Sequence, residues 1–402
     1  MKFLAGPLVL TVAAAAAALA APPSGRPPTG PLERVNPRIY DVKYDVTLTT
    51  MVAYVLDDPR VQRPDPEFTD PAIIDWGGTF RLVDTPIIMP LIYRGTFSAI
   101  DPETVKGELF LNGRPDLTLR ERFRVEDGLP HAVHLAVLPI TAFEGKTVRW
   151  NVAFQTMVYA SKIDDAAAAR LTWPREWPAE VQDGLSPQMY IESDDPMFAE
   201  AVERVSEGKL RMVPPYLAAK DLIRYCLQEV MPVGSGQRRG ALGVLHGMNV
   251  EGARIAALEG RGSPHDLVCV CVAMLRAAGI PARPVIGVRE NDRNRKVFAS
   301  WAEFYLEGAG WIPFDPRKMR GSGAQHRDVQ QPWPHFGSLD DLNEWIPLSY
   351  HFMPPRAVES PMYPAIWGWD PRPEGAPRAE QRIQIGVTSR GQPLPPPPGS
   401  RE

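Results

Sequence analysis

Apolar and polar residues alternate with a period of two at Tyr40, Val42, Tyr44, Val46 and Leu48, and again at Val148, Trp150, Val152, Phe154 and Val158. That period predicts half-buried strands. Between them, short apolar runs such as IIMPLIY and HAVHLAVL are cut by Pro, Gly and Asp. Short strands with such punctuation predict a β-rich, sandwich-like domain over 38–160. A connector, 161–190, carries Trp173, Pro174, Trp177 and Pro178. From Asp195 the period becomes helical. Asp195 reads as an N-cap and Pro196 as the first helical residue, with Phe198, Ala201, Val202 and Val205 on one face and Gly208 as the stop. Further helices are expected at about 215–231 and 250–260.

The run GRGSPHDLVCVCVAMLRAAGIPARPVIGV, residues 260–288, changes the pattern again. Ser263 reads as an N-cap, Pro264 as the first helical residue and Asp266 as the closing partner of a capping box. His265 beside them reads as a solvent-facing imidazole. The helix that follows, Pro264 to Ala278, is apolar nearly all round, which marks a buried central helix. Gly279 ends it and Pro281 forces extended chain. Strands are then expected over Pro284–Val288, Trp301–Leu306 and Trp311–Phe314. The fold class read from these residues is α+β: a buried helix against an antiparallel sheet, preceded by the β domain.

Composition adds limits. The chain has 402 residues, 44% of them apolar, with a formal charge of -4 and both signs interspersed. Nothing in it resembles the basic footprint of a nucleic-acid-binding protein. Cys226, Cys269 and Cys271 make no disulfide framework and no metal-site spacing, and all three fall in apolar helical patterns. No cofactor is called for. Lys2, the apolar stretch Phe3 to Ala17 and Ala18-Leu19-Ala20 read as a signal peptide over 1–20, with an uncleaved anchor as the alternative. A Pro-rich spacer, 21–37, follows. The expected location is therefore exported: periplasmic, envelope or secreted, with no later membrane span. Residues 321–402 read as a Trp- and Pro-rich arm whose tryptophans pack, or else stack on carbohydrate, before a disordered PLPPPPGSRE end.

The blocks LRAAGIPAR, SWAEFYL and GWIPFDP resemble the transglutaminase-like superfamily of papain-like fold, over residues 191–320 as the core domain. The resemblance implies cysteine-based acyl transfer. A thiolate at the start of the buried helix is favoured by the helix N-terminus and a histidine, and an aspartate orients the histidine. The family's G-x-C-x-D falls on Gly262-Ser263-Pro264-His265-Asp266, so its cysteine position is Pro264. Its H-A-W falls on Ala299-Ser300-Trp301, so its histidine position is Ala299. Asp315 matches the aspartate. The resemblance thus implies a pseudoenzyme that binds a peptide, protein or cell-wall component. The alternatives are a hydrolase or acyltransferase with a relocated nucleophile, for which Ser263 is the candidate, and a structural envelope protein with a filled cleft. A histidine supplied by the tail, His326 or His335, would also change the reading.

Overall fold

The computed structural model describes residues 30–50, 79–127, 131, 133–240, 243–290, 296–357, 363–370 and 379–391. The expected signal peptide, most of the spacer and the Pro-rich end lie outside these residues.

The period-two segments form long paired strands. Leu32–Thr50 runs antiparallel to Thr147–Ile163, with Val42 opposite Phe154 and Val46 opposite Trp150. Tyr40, Val42, Tyr44, Val46 and Leu48 are buried, whereas Lys43 is exposed. Pairing begins at Leu32, so the end of the expected spacer is strand rather than linker. These strands are central in a seven-stranded sheet. A four-stranded sheet built on Phe80–Leu91 and His134–Gly145 contributes to the same buried core.

The second unit surrounds one helix, Pro264–Ala277, in which every residue from Pro264 to Arg276 is buried. Three amphipathic helices, Pro196–Ser206, Pro215–Glu229 and Ala253–Glu259, pack on it from one side. On the other lies an antiparallel sheet in the order Gly310–Phe314, Lys296–Leu306, Ala282–Glu290, Trp345–Ser349. The α+β class and the buried helix on an antiparallel sheet agree with the sequence reading. Gly287 has a steric task in this sheet: a Cβ there would lie 2.4 Å from the Ile346 carbonyl oxygen.

The tail does more than wrap. Trp345–Ser349 is an edge of the core sheet, Gly368–Trp369 pairs with Phe80–Leu91, and Ala379–Gly391 pairs with Leu32–Thr50. It thus supplies a strand to each of the three larger sheets. Trp333, Trp367 and Trp369 are buried packing residues, and Trp367 meets Trp150 edge-on with ring centroids 5.4 Å apart. No helix among the described residues is long and apolar enough to cross a membrane.

Candidate functional site

The capping box expected at the start of the central helix forms in full. The Ser263 hydroxyl accepts from the Asp266 N–H at 3.2 Å, and Asp266 Oδ2 accepts from the Ser263 N–H at 2.8 Å. Asp266 Oδ1 also accepts from the N–H groups of Glu251 and Gly252, at 2.8 and 2.9 Å. One carboxylate thereby ties the loop before helix Ala253–Glu259 to the N-terminus of the central helix. Ser263 itself is buried and its hydroxyl is used by the cap.

Directly beyond the cap opens a cleft of about 350 Å³. Pro264, Ala299 and Asp315 all line it, with Ser235, Gln237, His265, Arg289, Phe298, Ser300, Arg317 and Trp345 among the other walls. Pro264 comes from the helix N-terminus and Ala299 from the middle strand, where it lies opposite Gly287. Asp315 follows the last residue of strand Gly310–Phe314. Ser263, His326 and His335 are not among the lining residues.

Asp315 has local partners. It caps the short helix Pro316–Gly321, accepting from the Lys318 N–H at 3.0 Å, and its other oxygen lies 3.8 Å from Lys318 Nζ. Burial nevertheless raises its pKa, outweighing the backbone bond and the lysine. Arg289 is held by Asp341 at 3.4 Å and Glu344 at 3.3 Å. The Gln237 amide is fastened to the middle strand, donating to the Phe298 carbonyl at 2.7 Å and accepting from its N–H at 3.0 Å.

His265 departs from the sequence expectation. It is only 2% exposed, not solvent-facing. Gly236, at φ +76°, packs its backbone so close that a Cβ would lie 2.7 Å from the ring, and Phe352 meets the ring edge-on. Both come from segments far from residue 265 in sequence, so no local pattern could have announced this burial. Nδ1 lies 2.7 Å from Ser300 Oγ. Burial lowers the ring's pKa to about 4, with Arg317 adding to the effect and Asp266 opposing it. The imidazole is therefore neutral at pH 7.

Cys226, Cys269 and Cys271 are free and buried. Burial pushes the Cys269 and Cys271 thiols well above their usual pKa. Iodoacetamide at pH 8 is expected to leave the native protein unmodified and to label these cysteines only in denaturant; mass spectrometry reads the result. Among the described residues, no three His, Cys, Asp or Glu side chains gather to hold a metal ion.

The sequence profile of the Transglutaminase-like superfamily matches residues 248–316. No curated protein matches the chain significantly. A crystal structure of a candidate cysteine protease from Cytophaga hutchinsonii is similar to the chain at a TM-score of 0.51 and 14% identity, covering 91% of this chain and 95% of that one. The periplasmic domain of TgpA from Pseudomonas aeruginosa is similar at 14% identity over 73% of this chain and 91% of that one, with a TM-score of 0.28. At these identities the likeness concerns fold alone, and the second TM-score carries no weight. The profile match spans the capped helix, the Gly279–Arg283 turn, the strand that carries Ala299 and the strand that Asp315 follows, so residues 248–316 form a transglutaminase-like segment of the chain.

Proposed function

We propose that this protein is an exported transglutaminase-like protein, a pseudoenzyme with respect to the family's thiol chemistry, that holds a peptide or protein segment of the cell envelope in its cleft. The observation that carries the reading is the open cleft itself. A proline and an alanine stand where the family's nucleophile and base are expected, yet the cavity between them has not been filled. Its volume falls in the usual range for ligand sites, roughly 300–1,000 Å³. That openness favours binding over a purely structural role. Export rests on the residue pattern at 1–20.

Pro264 offers neither a nucleophile nor an N–H, and Ala299 cannot move a proton. Loss of nucleophile or base removes acceleration on the order of a millionfold in a comparable triad. Purified protein is accordingly expected to incorporate no fluorescent primary amine into a glutamine-bearing acceptor protein, and to cleave no peptide, in the presence of reductant. Binding is tested by panning a displayed library of random peptides against the wild type and against Ala299→Trp, which fills the cleft from a half-buried position. Peptides retained by the wild type should bind Ala299→Trp at least about tenfold more weakly, a difference of about 1.4 kcal/mol. Equal retention by the two proteins would sink the binding reading.

A further inference from the structure

One polar contact in the cleft belongs neither to the cap nor to the expected triad. His265 follows Pro264 on the helix, and Ser300 follows Ala299 on the strand. The same two elements that would carry a nucleophile and a base thus carry a second pair, with the roles exchanged. The imidazole is on the helix and the hydroxyl is on the strand. Both residues line the cleft, and Ser300 is half-buried.

We propose that Ser300 and His265 form a nucleophile–base pair that takes acyl groups from activated esters, namely thioesters and aryl esters. The proposal rests on the cleft being open to ligands, as the binding reading requires. The 2.7 Å separation of Nδ1 and Oγ is within hydrogen-bond reach for proton transfer. The Gly236 backbone lies against the ring and favours a proton on it, although Nε2 has no fully formed hydrogen bond. With the proton on Nε2, the Nδ1 lone pair accepts from the Ser300 hydroxyl. Ser300 Oγ then bonds to the acyl carbon as its proton passes to Nδ1. The bond from carbon to the leaving group breaks, and the thiolate or phenolate departs with the electron pair and takes up that proton. Water next attacks the serine ester, gives a proton to Nδ1, and Ser300 recovers it as the acid leaves. The balance is one ester and one water to one acid and one thiol or phenol.

Nε2 faces the Gly236 backbone rather than a carboxylate, and that sets the substrate class. Loss of the carboxylate that orients the base costs about 10⁴ in rate in a serine triad. Amides, with poor leaving groups, are therefore out of range, in keeping with the expected lack of peptide cleavage. Arg317, exposed on the cleft wall, supplies a cation for a departing anion.

The test uses p-nitrophenyl acetate and an acetyl thioester with the full-length protein. The expected result is a burst of nitrophenolate close to one equivalent, and one acetyl group mapped to Ser300 by peptide mass spectrometry. Ser300→Ala should abolish both. His265→Gln should slow acylation about 100-fold or more, the usual contribution of a general base. The acylation rate should hold from neutral pH downward and fall as the pH drops through about 4, where His265 protonates. The charged groups acting on the ring are Asp266 on its own helix and Arg317 beyond Asp315. Ser300, Gly236 and Phe352, from the other elements against it, carry no charge. Acetyl groups only on other residues, or a burst unchanged in Ser300→Ala, would overturn the pair. No acylation with cleft-dependent peptide binding intact overturns the pair and leaves the binding reading standing. Acylation of Ser300 without peptide binding supports the pair and overturns the binding reading.

Discussion

Arg283→Met should cost about 3–5 kcal/mol of stability, the usual penalty for breaking a buried ion pair from one side. Arg283 Nε and Nη2 donate to Glu303 Oε2 at 2.9 and 2.6 Å, with side-chain exposures of 6% and 5%. The guanidinium carbon lies 4.0 Å from the Trp311 ring centroid and 3.7 Å from that of Tyr350. Nη2 also donates to Thr96 Oγ1 at 3.2 Å, which joins the core sheet to the β-rich half of the molecule. Removing the arginine strands a carboxylate in a site where burial already raises its pKa. The acid can escape by taking up a proton. Folded Glu303 then binds a proton that the unfolded chain releases, so stability lost at neutral pH returns as the pH falls through the raised folded-state pKa and is fully back only below the ordinary 4.5. Glu303→Gln leaves the arginine charged at every accessible pH, and its penalty should not fade in acid. Urea denaturation of both variants at pH 5 and pH 8 separates the two outcomes; parallel behaviour would mean that the pair is not the source of the effect.

Asp266→Ala should be nearly as damaging. Its carboxylate accepts from three backbone N–H groups, two of them in the loop before helix Ala253–Glu259. Stranding a buried donor costs roughly 1–3 kcal/mol, so a loss of about 3 kcal/mol or more is expected. Asp266→Asn keeps one acceptor oxygen and should fall between the two proteins. Denaturation midpoints measure the series, and an Ala variant as stable as the wild type would show that these donors find water instead.

Local signals account for what was legible in the sequence. The cap Ser263-Pro264-x-Asp266, the apolar run behind it and the Gly279-Ile280-Pro281 stop define the central helix within its own residues. The strand alternation at 40–48 and 148–158 works in the same way. Motif spacing also placed Pro264 at the helix start and Asp315 after the last strand, whereas Ala299 lies inside strand Lys296–Leu306, which begins earlier than the expected Trp301. Residues whose surroundings are assembled from afar were not. His265 reads as an exposed residue of a first helical turn until Gly236 and Phe352 are placed over it. The alternation Gln381, Ile383, Ile385, Val387 carries a strand signal, yet its partner lies more than three hundred residues earlier, so a tail reading missed its role. The Ser300 contact with His265 depends on both: it exists only once the strand register and the helix cap are fixed together.

The pairing of Ala379–Gly391 with Leu32–Thr50 bears on the order in which the molecule can be made. Val46 has Ile383 as a cross-strand neighbour, and Tyr44 has Ile385. During synthesis the first of these strands leaves the ribosome long before the other exists. Until then one edge of a long strand with one apolar face stays open, and an open edge is a template for another chain. Contacts of such sequence separation also slow folding, because a long loop must close before they form. The large sheet is thus complete only after residues 379–391 have been made, although Leu32–Thr50 can pair with Thr147–Ile163 well before that.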